Sequence, residues 1–151
     1  MAEIVVPELR DVPLYVRSNR VNGICDVAGK SNCLLVSVHA NAGGGTGWEA
    51  HTCLGDSMSD RYSALFYEKA GEAFGKEWMI RKGSADPADP DWDSNFAILR
   101  DTKCPAVLTE NFFMDTERDC RFLLSEEGRE RIAAMHVEAI MACIEYHQTQ
   151  S

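Results

Sequence analysis

Two side chains stand where a hydrolytic site would be built: His39, directly after the apolar run Cys33-Leu34-Leu35-Val36-Ser37-Val38, and Glu110, after Ala106-Val107-Leu108-Thr109. An imidazole can ligate a metal or carry a proton, and a carboxylate can take a proton from water and pass it on. In open α/β sheets ligands sit outside the carboxyl ends of the strands, so two such groups ending two buried strands can share one crevice. Alone, each has a plainer explanation, a satisfied buried histidine or a solvated strand-end carboxylate. Glu49 and His51 are two positions apart on a further strand candidate and so face the same way, which makes them possible substitutes in a metal-ligand set. His136 and His147 fall on the last helical segment and are expected to be helix-face residues.

The elements that must position these groups follow from the apolar pattern. Short runs at 4–6, 33–38 and 106–108 predict buried strands, and the more mixed stretches 48–53 and 96–99 predict two more near a sheet edge. A first helix should start after Asp11-Val12-Pro13, with Asp11 as its cap and Leu14, Val21 and Cys25 on its inner side. A second is capped by Ser57 with Asp60 three residues on, carries Met58, Tyr62, Leu65, Phe66 and Ala73 on one stripe, and stops at Gly75. A third begins after Ser125, with Glu126 and Glu127 in its first turn and Ala133, Val137, Ile140 and Ile144 as its expected inner stripe. Helices between unbroken apolar strands predict an α/β fold: a mixed, mostly parallel sheet flanked by helices on both faces. Gly43-Gly44-Gly45-Thr46-Gly47 lacks the Lys-Ser/Thr of a phosphate loop, and the acidic, proline-rich segment 84–91 is expected to be a solvated connection.

Composition narrows the class of function. A chain of 151 residues with 45% hydrophobic and 26% charged residues makes one ordinary globular domain, 1–151. Fifteen Lys+Arg against 24 Asp+Glu leave a net charge of −9, which repels a phosphate backbone and excludes nucleic acid as an expected partner. No apolar run reaches the ~20 residues of a membrane span. The first residues, Met1-Ala2-Glu3-Ile4-Val5-Val6-Pro7-Glu8, show no basic region or apolar stretch of a signal peptide. The six cysteines at 25, 33, 53, 104, 120 and 143 form no C-x-x-C pair and are expected to be buried thiols. A Cys-His hydrolase is poorly served by Cys104, which precedes Pro105 on a strand, and no G-x-S-x-G elbow supports a serine hydrolase.

Ser37-Val38-His39-Ala40-Asn41-Ala42 resembles the S-I-H-A-N-A segment of the zinc-dependent N-acetylmuramoyl-L-alanine amidases of the amidase-3 type. Arg17 and Asn22 stand where that family has Arg and Asn ahead of the strand, and Gly47-Trp48-Glu49 resembles its G-x-E strand opening. Pro105-Ala106-Val107-Leu108-Thr109-Glu110, then Phe113-Met114 and the stretch 119–123, is similar to P-x-V-L-x-E-x-G-F-x-x-N-x-x-D-x-x-x-L. The resemblance runs through nearly the whole chain. It implies hydrolysis of the amide between N-acetylmuramic acid and L-alanine in peptidoglycan, an extracytoplasmic substrate in the cell wall. It also implies His39 as a zinc ligand, Glu110 as the catalytic carboxylate and Asn41 as a substrate-binding residue.

Against the family pattern, the D-x-G-H-G-G turn and the helix glutamate that bring the first two zinc ligands are missing, so the domain is expected to be N-terminally incomplete. Phe112 replaces a glycine and Thr116 an asparagine. A catalytic zinc takes three protein donors, and the matched motifs bring one. The alternative expectation is therefore a catalytically inactive, metal-poor remnant or truncated form that at most binds cell-wall peptide. An uncovered sheet edge would further favour a homodimer.

Overall fold

Alternation along the strands builds two cores on one sheet. In the computed structural model, which describes residues 1–150, the strands are β1 (Leu35–Asn41), β2 (Trp48–Thr52), β3 (Trp92–Asp93) and β4 (Ala106–Phe113), in spatial order β1-β4-β2-β3. β1 runs parallel to β4 and β2 parallel to β3, while β2 and β4 are antiparallel. The helices are α1 (Leu14–Ala28), α2 (Met58–Phe74), α3 (Ala97–Arg100), α4 (Glu117–Leu124) and α5 (Glu126–Gln150). Val107 points into a cluster with Trp48, Phe66, Phe74 and Met135, under α2 and α5. Its neighbours Ala106 and Leu108 point the other way, onto Val21 and Cys25 of α1 and Ile98 and Leu99 of α3. This is the expected mixed sheet flanked by helices on both faces.

The caps explain where the helices start. Ser57 and Asp60 close a capping box on α2, with Ser57 Oγ accepting from Ser59 N–H at 3.1 Å and Asp60 accepting from the Ser57 N–H. Ser125 Oγ accepts from the Gly128 N–H at 2.9 Å and caps α5. α1 follows Pro13, and Asp11, instead of capping it, pairs with Arg17 at 2.7 Å. None of the α2, α4 or α5 segments, nor any other described helix, is long and apolar enough to cross a membrane.

Several expectations are corrected. Residues 4–6 form no strand: Pro7 follows them, and the Val5 carbonyl accepts from Arg20 at 2.9 Å instead of from a ladder. The stretch 96–99 turns helical as α3, because a four-residue apolar run carries no period to separate helix from strand. β1 and β4 extend past their apolar runs, so His39 and Glu110 lie within strands rather than after them. The inner face of α5 is Met135, His136, Ala139 and Cys143, whereas Val137 is 61% exposed. Of the expected stripe Ile140 packs against the core, while Ala133, Val137 and Ile144 are exposed, so the inner face is rotated toward smaller and more flexible side chains. The 84–91 connection is only partly solvated, since Pro90 and Asp91 are buried. All six cysteines are free thiols, with Cys25, Cys104 and Cys143 buried and the other three partly so.

Candidate active site

Register brings the candidate groups into one line. His39 on β1 is the Cα partner of Glu110 on β4, and Glu110 is in turn the partner of Glu49 on β2. Laterally paired residues point to the same face, so three side chains stand in a row across three strands, at about 4.8 Å per step. His51, two residues along β2, shares that face. The row lies on the α1/α3 side of the sheet, beyond the apolar patch of Leu35, Ala106 and Leu108.

The two carboxylates of the row differ in their partners. Glu49 Oε1 accepts from Asn41 Nδ2 at 2.7 Å and lies 3.4 Å from His51 Nε2, and Glu49 Oε2 is paired with Arg81. Burial pushes Glu49 upward, but the hydrogen bonds from His51 and Arg81 outweigh it and hold the carboxyl below its ordinary range. Glu110 Oε2 is buried with no hydrogen-bond partner. Burial raises its pKa, and the charge of Glu49 adds to that while His51 opposes it. His39 is accessible, touches Ser37 Oγ through Nε2 at 2.9 Å, and is held below the usual histidine range by partial burial and then by the charge of Arg17. His51 Nδ1 is 2.8 Å from Ser94 Oγ, and its ring lies against Phe96 at 5.2 Å between centroids.

The other face of β4 fixes this row from behind. His136 Nδ1–H donates to the Ile132 carbonyl at 2.7 Å, which leaves Nε2 to accept from Thr109 Oγ1 at 2.8 Å. Asn111 donates to Thr109 Oγ1 and to the His39 carbonyl at 2.9 Å, and accepts from Trp48 Nε1 at 3.0 Å. His136 is thus buried in the sheet core rather than on an outer helix face. Next to Asn111 the β1–β4 register slips, and Phe112 takes a left-handed φ of 63°. A bulky residue there is strained by about 1–3 kcal/mol. Phe112 is held by Phe74, Trp78 and Phe122, with centroids 5.2, 4.9 and 4.8 Å away.

The glycine-rich loop is closed from within. The Gly43 and Gly44 N–H groups donate to Asp115 at 2.7 and 3.1 Å, and Gly47 donates to Asp119. Those amides are spent on the chain's own carboxylates, consistent with the loop not being a phosphate cradle.

As a metal site the row offers one accessible imidazole beside an unpartnered carboxylate oxygen. Among the described residues, no three His, Cys, Asp or Glu donors of this row converge within 4.8 Å. His39 is the clearest donor the row would offer a zinc ion, and the row does not fit the three protein donors of a catalytic zinc. Glu49 is already committed to Arg81 and Asn41, and Asn41 spends its amide on Glu49. Arg81, Ser94 and Asn111 were not singled out in the sequence. Only Asn111 had a local signal, a polar residue inside an otherwise apolar strand.

The N-acetylmuramoyl-L-alanine amidase model Amidase_3 matches residues 7–142. The chain is 31% identical over 107 residues, 70% of its length, to N-acetylmuramoyl-L-alanine amidase CwlM of Bacillus licheniformis. It is 29% identical over 146 residues, 91% of its length, to the endolysin of Bacillus phage SPP1. It spans 38% of the first relative and 49% of the second. Its fold matches the catalytic domain of CwlV, an amidase of Bacillus (Paenibacillus) polymyxa var. colistinus, with a TM-score of 0.74 at 20% identity, over 93% of this chain and 70% of that one. It also matches the catalytic domain of the CD27L endolysin targeting Clostridia difficile, with a TM-score of 0.59 at 27% identity, over 85% of this chain and 62% of that one.

Proposed function

The chain belongs to the N-acetylmuramoyl-L-alanine amidase family, and from that premise we propose that it acts on peptidoglycan, hydrolysing the amide between N-acetylmuramic acid and L-alanine. The observation that carries this assignment is Glu110, whose buried Oε2 has no partner and whose neighbour in register is His39. Within it, Glu110 is the proton carrier, His39 the one accessible imidazole of the row that could serve a metal completed by donors from elsewhere, and Asn41 a substrate contact at the end of β1. Glu110 takes a proton from the attacking water and delivers it to the leaving nitrogen, so that the C–N bond breaks to a carboxylic acid and a free amine. Its raised pKa brings the carboxyl closer to working pH, where it can both accept and return that proton. The substrate would lie in the cell wall, outside the cytoplasm. β1 ends the sheet among the described strands and Val38 on it is 58% exposed, which supports pairing of two copies through that edge. Sedimentation of a clean monomer at high concentration excludes that pairing.

The test of the activity is release of free L-alanine amino termini from purified peptidoglycan, with zinc content followed in parallel. Glu110→Gln is expected to keep whatever zinc the wild type holds and to lower turnover by ~10²-fold or more. His39→Ala is expected to lose metal and turnover together. Wild-type turnover in the Gln variant removes Glu110 from the chemistry. Peptidoglycan binding without turnover by zinc-supplemented wild type selects the inactive, wall-binding alternative.

A further inference from the structure

A second cluster of acidic groups lies behind the sheet, away from Glu110. Asp60 of α2 and Asp89 and Asp91 of the connection into β3 each bring a carboxylate oxygen to within 4.8 Å of the others. They gather around Thr52, which alternates with His51 on β2 and so faces the opposite side from the candidate active site. Thr52 Oγ1 lies 2.9 Å from Asp60 Oδ1 and 2.7 Å from Asp91 Oδ2. One hydroxyl proton cannot satisfy both carboxylates. Asp91 is 6% exposed, and its Oδ1 is buried with no partner. Ser63, one helical turn beyond Asp60 and fully buried, brings its Oγ toward Asp91 without a hydrogen bond of good geometry.

The cluster has acceptors and no cation. Among the described ion pairs none joins a Lys, Arg or His to Asp60, Asp89 or Asp91. Asp56, Asp86 and Asp93 add further negative charge around Asp89. Buried carboxylates without paired cations are costly, and a bound metal ion removes that cost. The candidate donors are all oxygen: the carboxylates of Asp89, Asp91 and Asp60, the last also accepting from the Ser57 N–H, and two hydroxyls. Zinc favours nitrogen and sulfur, and magnesium demands near-ideal octahedral geometry, whereas calcium accepts irregular oxygen cages completed by water. Asp89 reaches solvent and leaves room for that water.

We propose that Asp60, Asp89 and Asp91, with Thr52 and Ser63, form a calcium site separate from the Glu110 row. The ion would clamp the 84–91 connection onto the first turn of α2 and the end of β2, where β3 begins. Trp92, adjacent in sequence to Asp91, provides an optical reporter for the ion.

The experiment is terbium titration of the chelator-treated full chain, exciting tryptophan and reading terbium emission, with melting temperature measured in parallel. Saturable emission reversed by calcium is expected, together with a rise in melting temperature in millimolar calcium. Asp89→Asn, at an accessible position, should weaken the calcium competition by ~10-fold or more. Asp91→Asn should abolish the emission while far-UV circular dichroism reports an intact fold. Absence of sensitised emission and of any melting shift up to about 10 mM calcium, above the weakest extracellular calcium sites, overturns the proposal. Retention of full affinity in Asp89→Asn, or an equal response to magnesium or zinc, also overturns it. Peptidoglycan turnover is not the readout, so failure here is separable from failure of the amidase assignment.

Discussion

Thr109 and Asn111 turn to one face of β4 and Glu110, between them, to the other. On the first face the polar groups of the strand are spoken for: Thr109 by His136, Asn111 by Trp48 and the His39 carbonyl. The same face holds the large fully buried side chains Trp48, Phe66, Phe74, Phe112 and Met135. On the second face, a single residue away, Glu110 keeps an oxygen without a partner. A strand's two-residue period thus lets one segment anchor the fold and hold an unpaired carboxylate, each on its own side. The contrast recurs within the row, where Glu49 is held by Arg81 and Asn41 and its register partner is not.

This contrast breaks most visibly on the closed face. Phe66→Ala removes a fully buried ring from the α2 side of the core and is expected to cost about 3–5 kcal/mol, read by urea unfolding. A loss below about 1 kcal/mol would mean that α2 and α5 do not close this face.

A smaller effect should appear with pH. Burial holds the His136 pKa below its ordinary 6.5, the Ile132 carbonyl only partly opposing. The unfolded chain therefore takes up a proton near pH 6.5 that the folded chain refuses. Stability from this group is complete above 6.5 and declines as pH falls toward the lower folded value. Melting temperature followed from about pH 8 to 5 should show the wild type losing its advantage over His136→Gln on the acid side. A constant difference across that range would place the titration elsewhere.

The smallest effect belongs to the open face. Glu110→Gln should leave unfolding stability within about 0.5 kcal/mol of wild type or raise it slightly, because it removes a half-buried charge that has no partner to lose. A large destabilisation in the same unfolding assay would make Glu110 structural and erase the distinction between the faces.

The sequence carried the parts of this arrangement that depend on near neighbours. α2 was readable from Ser57, Asp60 and its apolar stripe because a capping box and a helical period are both local. The pairing of His39 with Glu110 was approachable because each closes an apolar run. The runs themselves stopped too early, since a polar residue on the open face interrupts a hydrophobic count without ending a strand. The Arg81–Glu49 ion pair and the Asp60–Asp91 juxtaposition join residues 32 and 31 positions apart (81 − 49 and 91 − 60) through loop geometry that no local period encodes. The α5 face is legible only at Ile140, because Ala139, Cys143 and His136 count for little by hydrophobicity but fit the available space.

Phe112 couples the backbone beyond Glu110 to a distant aromatic cluster. Its left-handed backbone is tolerable while Phe74, Trp78 and Phe122 surround the ring. A glycine at 112 would relieve the backbone but leave a hole among those aromatics, and shrinking an aromatic would leave the strain unopposed. The effects of changes at these four positions are therefore non-additive, each depending on which of the others is already in place. Because Phe112 lies two residues beyond Glu110, drift in a distant aromatic cluster constrains which substitutions the candidate active site can survive.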